Sequence, residues 1–212
     1  MSEHPTPSLR ERQKQDRRKR IIAAAKQLFR DSGLEKITIE AIAEIAGVSA
    51  VTVHNYYGTK SGVLLALVAD SDAQLILRLQ ENFCGKHQNL DELMLNFYAE
   101  ICSHTMSHLD KAIWRQVMAA SVNGSEPRFH KTYQALDAQL VALLEQEILR
   151  LVEAGVLPPE TEALALAWAL FNLQNARFLQ FITLEDPKAE AQIHEALAGD
   201  LRALRVLGLQ RP

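Results

Sequence analysis

Between Thr38 and Lys60 the sequence has room for two short helices and a turn too tight for large residues, and no other stretch restricts the chain as strongly. Ile39, Ile42, Ala43 and Ala46 recur at the spacing of one apolar helical face, and Thr38 before them is a suitable N-cap. Gly47 ends that helix as a left-handed residue with no Cβ to clash. Ser49 offers the next N-cap, so Ala50 to Tyr56 is predicted as a second helix with Val51 and Val53 turned inward. Small Ala43, Gly47 and apolar Val53 fall where two steeply crossing helices need close approach and one shared core contact. The pattern predicts a helix-turn-helix, whose second helix fits the major groove of DNA.

The same residues carry a family resemblance. Ile42-Ala43, Ala46-Gly47-Val48-Ser49, Tyr56-Tyr57 and Lys60 resemble the motif of the TetR family of bacterial one-component transcriptional regulators. Upstream, Arg20 to Leu34 is similar to that family's first helix, with Phe29 as core anchor and Gly33 as terminator. The resemblance spans residues 18 to 67. It implies a ligand-responsive repressor, not an enzyme, that binds a palindromic double-stranded operator as a homodimer and is released by a small-molecule effector. It also implies that Tyr56 and Lys60 grip phosphates. His54 departs from the family, which commonly has Tyr there.

Charge is divided in the way that reading requires. The 212 residues carry a net charge of -3, yet residues 1–60 hold 11 Lys+Arg against 7 Asp+Glu, leaving 12 against 19 for the remainder. A basic head on an acidic body is the electrostatic footprint of a phosphate-binding face. Cys84 and Cys102 form neither a metal knuckle nor a disulfide framework, which points to a reducing, cytoplasmic setting. The longest apolar run, Ala163 to Phe171, is far shorter than the ~20 residues a membrane helix needs, so no membrane partner is expected. No cofactor motif is present.

Helical periodicity continues to the C-terminus, and strand-like alternation is absent. The expected architecture is all-α: a disordered stretch over residues 1–10, a three-helix helix-turn-helix domain over 11–59, and a larger ligand-binding and dimerisation domain over 60–212. Residues 60–83 form the connecting helix, with Val63, Leu64, Leu67, Val68, Leu75 and Leu79 as its buried stripe. Further helices are predicted over 90–108, 110–122, 127–154, 159–184 and 187–207, punctuated by Asn123-Gly124-Ser125, by Gly155 with Pro158-Pro159, and by Pro187.

On the second helix of the motif the predicted DNA contacts are Ser49, Ala50, Thr52, His54 and Asn55, joined by Tyr56, Lys60 and Thr38. Asn55 has the amide geometry for an adenine edge, and the Thr52 methyl suits a thymine methyl. The run Arg17 to Arg20 reads equally as a solvated helix face or as a DNA-contacting arm. For the effector the expected lining is Phe97, Tyr98, Ile101, Thr105, Trp114, Met118, Asn172 and Asn175, since bundle pockets are apolar with a few polar anchors. His104 and His108, four residues apart, share a helical face as two metal ligands would. They seed the alternative of a helical metal-binding enzyme, but no third ligand is spaced to complete a site, so no metal and no catalytic residue are expected. An accessory DNA-binding protein without an effector would need a well-filled C-terminal core. Apolar residues on more than one face of the last two helices predict a dimer interface.

Overall fold

In a computed structural model, residues 8–32, 36–123, 127–186 and 188–205 are described. They contain nine α-helices and no strand. The head comprises α1 (Leu9–Ser32), α2 (Ile39–Ala46) and α3 (Ala50–Tyr57). Next come α4 (Lys60–Asn82), α5 (Leu90–His108), α6 (Asp110–Asn123), α7 (Pro127–Glu153), α8 (Ala163–Thr183) and α9 (Ala189–Leu204).

Helix α1 starts earlier than the disordered stretch over 1–10 allowed. Ser8 and Glu11 form a reciprocal capping box: Ser8 N donates to Glu11 Oε2 (2.8 Å) and Glu11 N to Ser8 Oγ (3.3 Å). The Ser-x-x-Glu spacing was the available signal. Residues 1–7 lie outside the described residues, as do Gly33, Gly124, Ser125, Pro187 and Leu207, on which other expected breaks and ends fell. Helices α8 and α9 begin later than expected: Thr161 makes a turn back to the Pro158 carbonyl, and Glu162 leads into α8.

The exposed first half of α1 is basic. Its second half buries Ile21, Ala24, Ala25 and Phe29 against the motif helices. Thr38 caps α2 by accepting from Ala41 N (3.1 Å), and Ser49 caps α3 by accepting from Thr52 N (3.2 Å). Gly47 sits at φ 64° between them, in the left-handed region where a Cβ is strained. Val53 is the shared core residue, fully buried. Val51 is not: at 66% exposure it points to solvent, whereas Ala50 is half-buried and packed on the core. The α3 axis is thus rotated from the expected orientation, because one inward position suffices for so short a helix.

All six expected stripe residues of α4 are buried. It packs on α1 and α3 of the head and on α5, α6 and α7 of the body, so one helix belongs to both parts. A second tie joins head to body, since Arg30 Nε donates to Asp110 Oδ2 (3.1 Å) and Gln116 Nε2 to the Phe29 carbonyl (3.3 Å). Helix α5 is the central element, enclosed by α4, α6, α7, α8 and α9. No helix of the described residues is long and apolar enough to cross a membrane.

Candidate functional site

On the outer face of α3, Asn55 and His54 are exposed, Thr52 and Tyr56 are partly exposed, and Val51 joins them where Ala50 was expected. Local hydrogen bonds already fix two of these side chains. Ser49 Oγ and Thr52 Oγ1 lie 2.9 Å apart, and His54 Nδ1 donates to the Gly58 carbonyl (2.7 Å), closing the C-terminal end of α3. That bond assigns the proton to Nδ1 and leaves Nε2 as an acceptor at the surface. Asn55 is exposed, with no such tie among the described residues.

The flanks of α3 carry phosphate-binding chemistry. Thr59 caps α4 by accepting from Gly62 N (3.0 Å), so Lys60 stands in the first turn of a long helix whose amide dipoles already favour an anion. Its ammonium lies 3.5 Å from the Ile37 carbonyl, which keeps it beside the α2 N-terminus and Thr38. Tyr56 is gripped from behind, with the Arg18 guanidinium 5.5 Å from its ring centroid. The basic run of α1 therefore divides. Arg20 pairs with Asp16 (3.2 Å) and donates to the Ala46 carbonyl (3.0 Å), tying α1 to the turn of the motif, while Lys19 remains exposed. Sequence reasoning did not distinguish these roles, because a tether to a backbone carbonyl leaves no periodic trace.

In the body, the expected effector lining is only partly brought together. Ile101, Thr105, Trp114 and Asn175 line one enclosed cavity of about 30 Å³, with Asp72, Leu75, His104, Tyr133, Asp137, Leu140, Phe171 and Phe178. Phe97 and Tyr98 are fully buried in the core elsewhere on α5. Met118 accepts a hydrogen bond from Tyr133 Oη at 3.5 Å and stands behind the wall. Asn172, one turn before Asn175 on α8, is exposed and does not line the cavity. Fully buried Gln174, with neither amide atom partnered among the described residues, takes the inward place that Asn172 was given.

Two lining acids were missed, though a trace of each exists. Asp72 interrupts the α4 stripe between Val68 and Leu75, and Asp137 stands between Tyr133 and Leu140 on the inner face of α7. Burial pushes both carboxyls up to about 7, and their proximity adds to the rise at Asp72. His104 is 2% exposed, with Nε2 2.9 Å from Ser71 Oγ, and burial followed by neighbouring His108 lowers it to about 4. The rings of His104 and His108 stack at 3.8 Å with 17° between their planes. In-plane lone pairs of stacked rings do not converge on one ion, so the spacing that suggested a metal pair serves packing instead. Among the described residues no group of three His, Cys, Asp or Glu is placed to hold a metal.

An open groove of about 640 Å³ lies at the junction of head and body, lined by α1, Tyr57 of α3, α4 and the α5–α6 corner. Arg18, Lys19 and Lys26 border one wall, and Tyr57, Asp70 and His108 the others.

Residues 21–67 match the family model of bacterial regulatory proteins, tetR family. No curated relative matches the chain by sequence. Among solved structures, the chain is similar to a TetR transcription regulator from Haloarcula marismortui, with 16% identity and a TM-score of 0.71, covering 93% of this chain and 100% of that one. It is similar to FadR from Bacillus subtilis, solved with stearoyl-CoA, at 14% identity and a TM-score of 0.67, covering 85% and 95%. It is also similar to a proposed transcriptional regulator from Saccharomonospora viridis, solved with choline, at 18% identity and a TM-score of 0.65, covering 89% and 96%.

Proposed function

We propose that this chain is a DNA-binding transcriptional regulator of the tetR family, acting as a homodimeric repressor released from a near-palindromic operator by a small molecule. The observation that carries the DNA half is the outward face of α3, flanked by Thr38, Tyr56 and Lys60. Val51, Thr52, His54 and Asn55 are the base-reading candidates, while Ser49 and Ala50 serve as cap and packing residue. Base edges specify and phosphates position, so the two sets should fail differently.

The dimer reading rests on an apolar outer face. Leu164, Trp168 and Leu179 of α8 are 51%, 37% and 44% exposed although their helix also buries a full inner face. Helix α9, with half-buried Ala196, Ala198 and Gly199, lies alongside. Two such helices from each copy would make a four-helix interface about a two-fold axis. Two recognition helices would then address half-sites about one or more DNA turns of ~34–36 Å apart.

Release needs an effector that prefers the DNA-incompetent arrangement. Helix α4 and the Arg30–Asp110 pair supply the route: both connect the head to the walls of the enclosed cavity. Small-molecule complexes of FadR and of the Saccharomonospora viridis protein support an effector here as well.

The test begins with operator selection by the purified protein. Asn55→Ala should then cost about 1–3 kcal/mol on the selected site alone, while Lys60→Ala should weaken binding to all sequences and reduce the salt slope by about one. Parent-like binding by both variants would refute the assignment of this face.

A further inference from the structure

We propose that the enclosed cavity recognises an organic cation, an ammonium group held by Asp72 and Asp137 with its hydrocarbon against Trp114, Tyr133, Phe171 and Phe178. The inference rests on reading this cavity as the effector site and names the chemical class it takes.

The chemistry of the lining carries it. Asp72 is 4% exposed on α4, and Asp137 faces the same cavity from α7. Neither makes a salt bridge or accepts a hydrogen bond among the described residues, and no lysine or arginine lines the cavity. Buried carboxylates are ordinarily paired, because an isolated one forfeits its hydration without return. Here two point at one space with no cation to share. The Trp114 indole, 6% exposed, lines the same cavity, and its Nε1 has no acceptor among the described residues. Two buried acceptors left open on one cavity indicate a missing donor.

Its charge follows from the surroundings. An anion would meet two carboxyls, and a neutral hydrocarbon would leave both acids unmatched. An ammonium ion meets two carboxylates and aromatic faces whose negative quadrupoles attract a cation. A cavity of about 30 Å³ admits an ammonium head, roughly the size of a water. The hydrocarbon follows by displacement of Tyr133, which is only partly buried on α7. That displacement wedges α7 from α4, the helix that reaches the head.

The ionisable groups facing the cavity set the pH dependence. Both acids hold their protons up to about 7 in the empty site. From α5, His104 is lowered to about 4 and stays neutral above it. Tyr133 on α7 is raised by burial and stays neutral too. Trp114 on α6 and Asn175 on α8 carry no charge. A cation must therefore displace protons from the carboxyls alone, and its affinity should rise as pH increases through neutrality.

The experiment is calorimetric titration of the full-length protein with n-hexylamine, 2-phenylethylamine and cyclohexylamine, with 2-phenylethanol as the uncharged counterpart. The ammonium ions should bind at least about tenfold more tightly than the alcohol, and n-hexylamine, which stays fully charged across this range, should gain about tenfold between pH 6 and pH 8. Asp72→Asn with Asp137→Asn should abolish both effects while circular dichroism retains the helical signal; Asp137→Asn alone, at the more exposed position, serves if the double variant unfolds. Failure of all three cations to bind, equal binding of the alcohol, or full cation affinity in the folded variants would overturn the proposal. Cation binding that leaves operator affinity untouched would instead overturn effector release and keep the cation site. Operator release by an uncharged compound, undiminished in the asparagine variants, would keep release and overturn the cation.

Discussion

Asp72→Asn should make the protein markedly more stable at pH 8 and much less so at pH 5. Desolvation first, and Asp137 second, raise the Asp72 carboxyl from 3.8 to about 7. A raised carboxylate pKa means that the folded chain holds the proton more tightly than the unfolded chain does. Stability is therefore intact below the unfolded value, falls as pH rises towards about 7, and stays reduced above it. The span corresponds to roughly 4 kcal/mol, shared with Asp137 because interacting acids titrate as a pair. At pH 5 the folded acid is protonated and nearly isosteric with the amide, but the unfolded acid, above its value of 3.8, is already ionised, so the variant should lead by only about 1–2 kcal/mol. At pH 8 the variant should lead by about 2–4 kcal/mol, each kcal/mol moving Tm by roughly 2–4 °C in a chain of this length. The lowered His104 gives an opposing slope below its ordinary value, but it is common to both proteins and cancels in their difference. Urea denaturation of parent and variant from pH 5 to pH 8.5, at one protein concentration because assembly shifts apparent stability, measures that difference directly. Parallel curves across the whole window would refute the reasoning.

Other outcomes follow from single contacts. Phe29→Ala removes a fully buried ring from the head and should destabilise it by about 3–5 kcal/mol, read by denaturant unfolding. Gly62→Ala forces a Cβ into the Tyr57 backbone carbonyl, so the α3–α4 junction must shift at a cost of about 1–3 kcal/mol; operator affinity should fall with it, and an unaltered affinity would contradict the packing of that junction. Val51→Ser should reduce affinity only for operators presenting a thymine methyl to α3, with an unchanged salt slope, measured by fluorescence anisotropy on variant sites. Trp168→Glu, on the exposed α8 face, should yield a folded monomer by sedimentation and weaken operator binding through loss of the tethered second head.

Much of this molecule was legible without coordinates because helices are local objects. Caps at Thr38 and Ser49, the glycine at 47 and the 3.6-residue stripe of α4 act within a few residues of themselves, and the chain states them in order. The tetR resemblance was legible for the same reason, since it resides in one contiguous stretch. Rotation of a short helix is a different matter. With only Val53 required inside, the pattern of α3 permits several faces, and packing on α2 and α4 chose the one that exposes Val51. The cavity lay further out of reach. Asp72 and Asp137 are 65 positions apart by the numbering, and each alone looks like an ordinary helical acid. Only the packing of α7 along α4 makes neighbours of them, strips their water, and leaves two carboxyls facing one unfilled space. Desolvation belongs to the assembled interior rather than to any segment, so the sequence determined the helices and the head, and only the tertiary structure brought the two acids together and buried them.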